Sequence, residues 1–64
     1  MVVQNPNTPT VVLAKLADDE NEFVRFYVAE SQNTSTETLE KLANDEIEDV
    51  RYAAKVALFK RSND

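Results

Sequence analysis

The sequence predicts an all-α fold: a short α-solenoid (superhelix) of two helix–turn–helix repeats. Three observations carry this. The chain repeats itself at a fixed offset: Asn7-Thr8 returns as Asn33-Thr34, Leu13-x-Lys15-Leu16-Ala17 as Leu39-x-Lys41-Leu42-Ala43, Asp19-Glu20-x-Glu22 as Asp45-Glu46-x-Glu48, and Val24-Arg25 as Val50-Arg51. Aligning residues 7–32 on 33–58 gives 12 identities in 26 positions, and a period of about 20–50 residues marks stacked supersecondary units. Leucines recur at helical spacing in both copies, and turn and capping residues separate the apolar stretches.

The first turn is Asn5-Pro6-Asn7-Thr8-Pro9. Pro6 pushes Asn5 out of the helical region, and Asn7 tolerates a left-handed turn. Thr8 is the expected N-cap, with Pro9 at the first helical position, where its missing N–H is harmless. The first helix is expected over about 9–18, with Val12, Leu13, Leu16 and Ala17 on one side and Lys15 and Asp18 nearer water. Val2-Val3 aligns with Val28-Ala29 and occupies the place where a preceding helix would finish.

Asp19 to Glu22 fits a capping box, the Asp19 side chain accepting from the Glu22 N–H. Acids here also suit the positive end of a helix. A calcium loop is rejected, because the alternating ligands and central glycine of an EF-hand are missing. The second helix, about 21–31, is the most apolar segment. Such a helix packs on more than one side.

Gln32 to Ser35 is the second turn, where Thr34-Ser35-Thr36-Glu37 reads as a capping box. The third helix follows to about Asn44, with Leu39, Leu42 and Ala43 inward. Asn44 is the expected left-handed terminator, and Asp45-x-x-Glu48 then caps a fourth helix over about 47–61. That helix departs from the repeat after Val50-Arg51. Val50, Ala53, Ala54, Ala57 and Leu58 form its inward face. Tyr52, Val56 and Phe59, at i, i+4 and i+7, form a second stripe nearly opposite. The basic pair Lys60-Arg61 suits a helix C-terminus, and the last residues are expected to fray.

Composition narrows the function. A 64-residue chain is one small domain, which buries only about 60% of its extended-chain surface. There is no cysteine and no histidine, which removes disulfides, thiolate and imidazole metal sites and a histidine base. A net charge of −5 disfavours nucleic acid and anionic membrane surfaces. Glycine is absent, which argues against phosphate-cradling loops. No apolar run is long enough to span a bilayer, and the first residues do not read as a secretory signal. A cytoplasmic location follows by default. Catalysis would need a deep pocket with perturbed carboxylates, yet each acidic cluster is accounted for by a cap or a solvated face. No nucleophile–base pair, phosphate loop or metal spacing appears. The chain is therefore read as no enzyme, with no cofactor, no metal site and no evident small-molecule substrate.

The run Asn5-Pro6-Asn7-Thr8-Pro9, Val12-Leu13-x-x-Leu16-Ala17, Asp19, Val24-Arg25 and Val28-Ala29-Glu30 resembles the leucine-rich-repeat variant family, akin in style to HEAT-like helical repeats. The resemblance covers about residues 2–53. It implies a right-handed solenoid in which α-helices alternate with shorter, sometimes 3-10, helices, so that one of the short first helices would be 3-10. It also implies interaction work without catalysis. The iron–sulfur cluster of some relatives does not carry over, because its cysteines are missing here.

Two further expectations concern contacts. Arg25 and Arg51 each follow an acid, Asp19 and Asp45, by six residues, and Arg25 is expected to reach Asp45 across the repeat boundary. Arg51 would then lack a neighbour within the chain. Tyr52 is the equivalent of Phe26 and faces the place of a third repeat. Tyr52, Val56 and Phe59 are therefore the candidate partner-binding residues, the partner being another protein or a second copy in a homodimer. A structural homodimer and a fragment of a longer array are the alternative readings. The bland reading of the stripe is that the fourth helix rotates and buries it.

Overall fold

The computed structural model describes residues 8–62. Among these the chain forms four α-helices and no strand: α1 (Thr10–Leu16), α2 (Glu22–Glu30), α3 (Thr36–Leu42) and α4 (Glu48–Ser62). Each agrees with the expected helix to within about two residues. The turn expected at Asn5 to Asn7, the helix end expected at Val2-Val3 and the final residues lie outside the described part.

The helices assemble around the leucines of the repeat. Leu13, Leu39, Leu42, Val28, Val50 and Ala54 are all but completely buried, and Ala17, Ala29 and Ala53 join them. Leu16, Phe26, Ala43, Ile47, Ala57 and Leu58 pack against this cluster from partly buried positions. Burying each large aliphatic side chain contributes about 1.5–3 kcal/mol. α4 is the central element, packed on both α2 and α3, while α1 packs on α2. The alanines of α4 let α2 and α3 approach closely, which a stripe of larger residues would prevent. The radius of gyration, 10.3 Å, is that of a compact chain of this length, about 10.7 Å.

The 3-10 helix implied by the family resemblance is not found: all four described helices are α. The tighter i to i−3 bonding is confined to helix ends. Asp18 N–H donates to Lys15 O at 3.1 Å and Asp19 N–H to Leu16 O at 3.0 Å, and Asn44 and Asp45 do the same with Lys41 and Leu42 at 3.1 and 3.0 Å. Seven residues bonded in the α pattern bury Leu13 or Leu39 on one side without the eclipsed side chains of a 3-10 helix.

The caps correct the sequence reading at five places. Pro9, not Thr8, stands at the N-cap of α1, with no side-chain cap bond; Thr8 is buried instead. Asn21 caps α2, its side chain accepting from Phe23 N–H at 2.8 Å, while Asp19 Oδ1 accepts from Asn21 N–H at 2.8 Å. The Asp19–Glu22 box is therefore not formed, nor is the Asp45–Glu48 box, since Asp45 Oδ1 accepts from Ile47 N–H at 2.9 Å. Ser35 caps α3, accepting from Thr38 N–H at 3.2 Å. Thr34 turns inward and donates its hydroxyl to Val28 O at 2.6 Å, satisfying a carbonyl at the end of α2. Asn44 takes no left-handed conformation, since no described residue has positive φ; its amide donates back to Glu40 O at 3.2 Å.

α2 is also less enclosed than its composition suggests. Val28 and Ala29 are buried, Val24, Phe26 and Tyr27 are half-buried, and Phe23 is 66% exposed. α4 covers one side of the helix and leaves the flank that carries Phe23 open.

Candidate protein interface

Arg25 bridges the boundary between the two halves. Arg25 Nε donates to Asp45 Oδ2 at 2.7 Å and Arg25 Nη2 to Asp45 Oδ1 at 3.2 Å, a bidentate pair whose side chains are only 12% and 10% exposed. Arg25 Nη1 also donates to the carbonyls of Asp19 and Glu20 at 2.8 and 3.0 Å. One guanidinium thus closes the α1–α2 turn and clamps it to the α3–α4 turn. The hydrogen bond to Asp45 raises the Arg25 pKa above its ordinary value, against the opposing effect of burial. Burial by itself would raise the Asp45 carboxyl. The Arg25 hydrogen bond, the Ile47 N–H and the charges of Arg25 and Arg51 together outweigh it, and hold this carboxyl below the ordinary carboxylate value.

The second half repeats the turn. Asp45 Oδ1 accepts from Ile47 N–H at 2.9 Å, as Asp19 accepts from Asn21. Arg51 Nη1 donates to the carbonyls of Asp45 and Glu46 at 3.0 and 3.1 Å, as Arg25 does to Asp19 and Glu20. The expected reach of Arg25 to Asp45 is present. The clamp of each arginine on its own turn was not read from the sequence, although the shared six-residue spacing from acid to arginine was its signal. Lys41 and Asp18 form a second pair across the halves, well exposed to water, and such pairs contribute little.

The stripe on α4 divides. Tyr52 is 71% exposed and Phe59 67% exposed. Neither is turned into the core, so the burial reading does not hold for these two. Val56 differs: it is half-buried and lines a groove of about 360 Å³ with Ala29, Ala57 and the ends of α2 and α4. Beside this groove Arg61 Nη2 donates to Gln32 O at 3.3 Å, tying the end of α4 to the α2–α3 turn. Phe26, the equivalent of Tyr52, is half-buried. It meets Tyr27 edge to face at 6.1 Å and lines a small cleft of about 130 Å³ with Phe23, Ile47, Asp49 and Val50. Phe23 and Val11, at 66% and 64% exposure, are large apolar side chains on the surface that the sequence reading did not single out. Phe23 is concealed in the sequence by its apolar neighbours, which are partly covered.

No helix among the described residues is long and apolar enough to cross a membrane. Comparisons with protein-family models, with curated proteins and with solved structures each return no significant match.

Proposed function

We propose that this chain is a non-catalytic protein–protein interaction or assembly module: a short right-handed superhelix of two helical repeats, of the leucine-rich-repeat variant kind. The observation that carries the reading is the contrast between Phe26 and Tyr52. At the same repeat position, Phe26 is half-buried and packs against the core cluster, whereas Tyr52 is 71% exposed. Phe59 extends the same flank at 67% exposure. Exposed aromatic side chains on a firm helix are what binding surfaces use, because they supply apolar area at little entropic cost. The helical repeat itself supports interaction work, since stacked units leave one apolar face uncovered at each end. A net charge of −5 favours protein over nucleic acid as the partner. The alternatives, a structural homodimer and a fragment of a longer array, use this same flank.

Substitution separates surface from core. Tyr52→Glu and Phe59→Glu should leave the circular dichroism spectrum and the melting temperature nearly unchanged while abolishing association in sedimentation velocity. Loss of helix in either variant, or association indifferent to both, would remove the basis for this reading.

A further inference from the structure

We infer that the partner of this flank is a second copy of the same chain, with the two α4 helices packed side by side and antiparallel about a twofold axis. This rests on the interaction reading and gives it a geometry. On a helix turning about 100° per residue, Val56 lies about 40° to one side of Tyr52 and Phe59 about 20° to the other. The three side chains therefore form one narrow seam. Their spacing, i, i+4 and i+7, is that of the knobs of a paired helix. Tyr52 and Phe59 are 71% and 67% exposed, and Val56 is half-buried. Every side chain used by this joint belongs to α4 and lies among the described residues.

The charges beside the seam select a second copy. On the same helix Asp49 and Lys60 lie about 60° and 80° to one side of Tyr52, and Glu48 and Lys55 about 40° and 60° to the other. All four are exposed, and among the described residues none of them enters an ion pair. Each flank is thus acidic at the start of α4 and basic further on. That placement suits the helix macrodipole, and it also makes the surface its own complement when reversed. A twofold axis perpendicular to α4, level with Ala54, sets Tyr52 of each copy opposite Val56 of the other. Such an axis keeps each flank facing the same flank of the second helix and inverts its direction. Lys60 then meets Asp49 of the second copy to within one residue, about 1.5 Å along the helix, and the pair forms twice. Lys55 and Glu48 come within five residues, about 7.5 Å, which their extended side chains span. A parallel pairing would instead set Asp49 on Asp49 and Lys60 on Lys60. The antiparallel interface is isologous and closes at two copies. A single helix pair buries less than the about 1,200–2,000 Å² of a standard interface, so the dimer is a reversible one.

Charge reversal tests the pairing on the full chain. The wild type, Asp49→Lys, Lys60→Glu, the variant carrying both changes, and an equimolar mixture of the two single variants are followed by sedimentation equilibrium. Concentrations run up to about 1 mM, where even a Kd of that order is detected, with circular dichroism on every sample. The wild type is expected to approach twice 7.2 kDa. Each single variant should lose about tenfold or more in affinity, because like charges then meet twice. The double variant and the mixture should recover, since both restore opposite charges across the joint. Should a reversal cost helix, Asp49→Asn and Lys60→Gln replace it, and each must weaken association. A helical double variant that fails to recover overturns the proposal. So does a gain in the mixture with no loss in the single variants, which is the result of a parallel pairing. A wild type that stays monomeric overturns it too, and leaves a different protein as the occupant of the flank. Association that survives both single reversals but vanishes in Tyr52→Glu overturns the antiparallel pairing and leaves the interaction reading standing. Association indifferent to Tyr52→Glu as well removes both.

Discussion

Arg25 and Arg51 close their own turns through equivalent pairs of backbone bonds, but only Arg25 also holds a carboxylate of the other half, Asp45, at 2.7 and 3.2 Å. The two residues are identical in type and repeat position. What differs is that, among the described residues, a carboxylate lies within ion-pair distance of Arg25 and none does of Arg51. Arg25→Gln should therefore destabilise the fold by about 1–3 kcal/mol, as a half-buried carboxylate loses its partner. Arg51→Gln should cost less, since it gives up no ion pair. Paired urea melts measure the difference, and equal costs would mean that the bonds to the turns, not the bridge, stabilise this region.

The bridge also sets an acid limit. The folded-state pKa of Asp45 is depressed, so the unfolded chain binds the proton more readily. The stability from this carboxylate is fully present above the unfolded carboxylate value, about 3.9, and is lost as pH falls through the lower folded value. The gap in stability between the wild type and Asp45→Asn should be open at pH 7 and should narrow steadily below about pH 4. A gap independent of pH would show that the Asp45 charge is not what matters.

Leu39 is fully buried between the helices. Leu39→Ala should cost about 2–5 kcal/mol, while a chain of this size has only about 3–10 kcal/mol in total. The variant is expected to be largely unfolded or to melt well below the wild type, as a thermal scan would show. Leu16→Ala, at a half-buried position, should be milder. A reversed order would mean that the core is centred on α1 instead of α3 and α4.

Thr34 is a buried hydroxyl with a specific task, donating to Val28 O at 2.6 Å. Thr34→Val should cost about 1 kcal/mol or more, because the carbonyl at the end of α2 loses its donor, and Thr34→Ser should retain most of that bond. If Thr34→Val were as stable as the wild type, the hydroxyl would be incidental to the turn.

The repeat made the helices legible. Twelve identities at one offset, with leucines on a helical period, locate four helices and most of their inward residues. They also indicate that Arg25 reaches Asp45. The caps were not legible, and the reason is physical. Thr34, Ser35 and Thr36, or Asp19 and Asn21, are all competent caps within two residues of one another. Tertiary demand chooses between them: Thr34 is taken by Val28 O, and Asp45 by Arg25 and Ile47 N–H. The α4 stripe was half legible. Helical period alone places Val56 with Tyr52 and Phe59, but the nearness of the end of α2 draws Val56 into a groove and leaves the two aromatics outside.

The most direct test of the account is the molar mass of the wild-type chain by light scattering across a concentration series, with circular dichroism on the same samples. The account predicts a mass that climbs with concentration while every sample stays helical, and a Tyr52→Glu variant, altered at a side chain 71% exposed, that stays at the monomer mass. A helical wild-type chain that remains at 7.2 kDa throughout, or a Tyr52→Glu variant that associates as well as the wild type, would contradict the reading of this flank as an assembly surface.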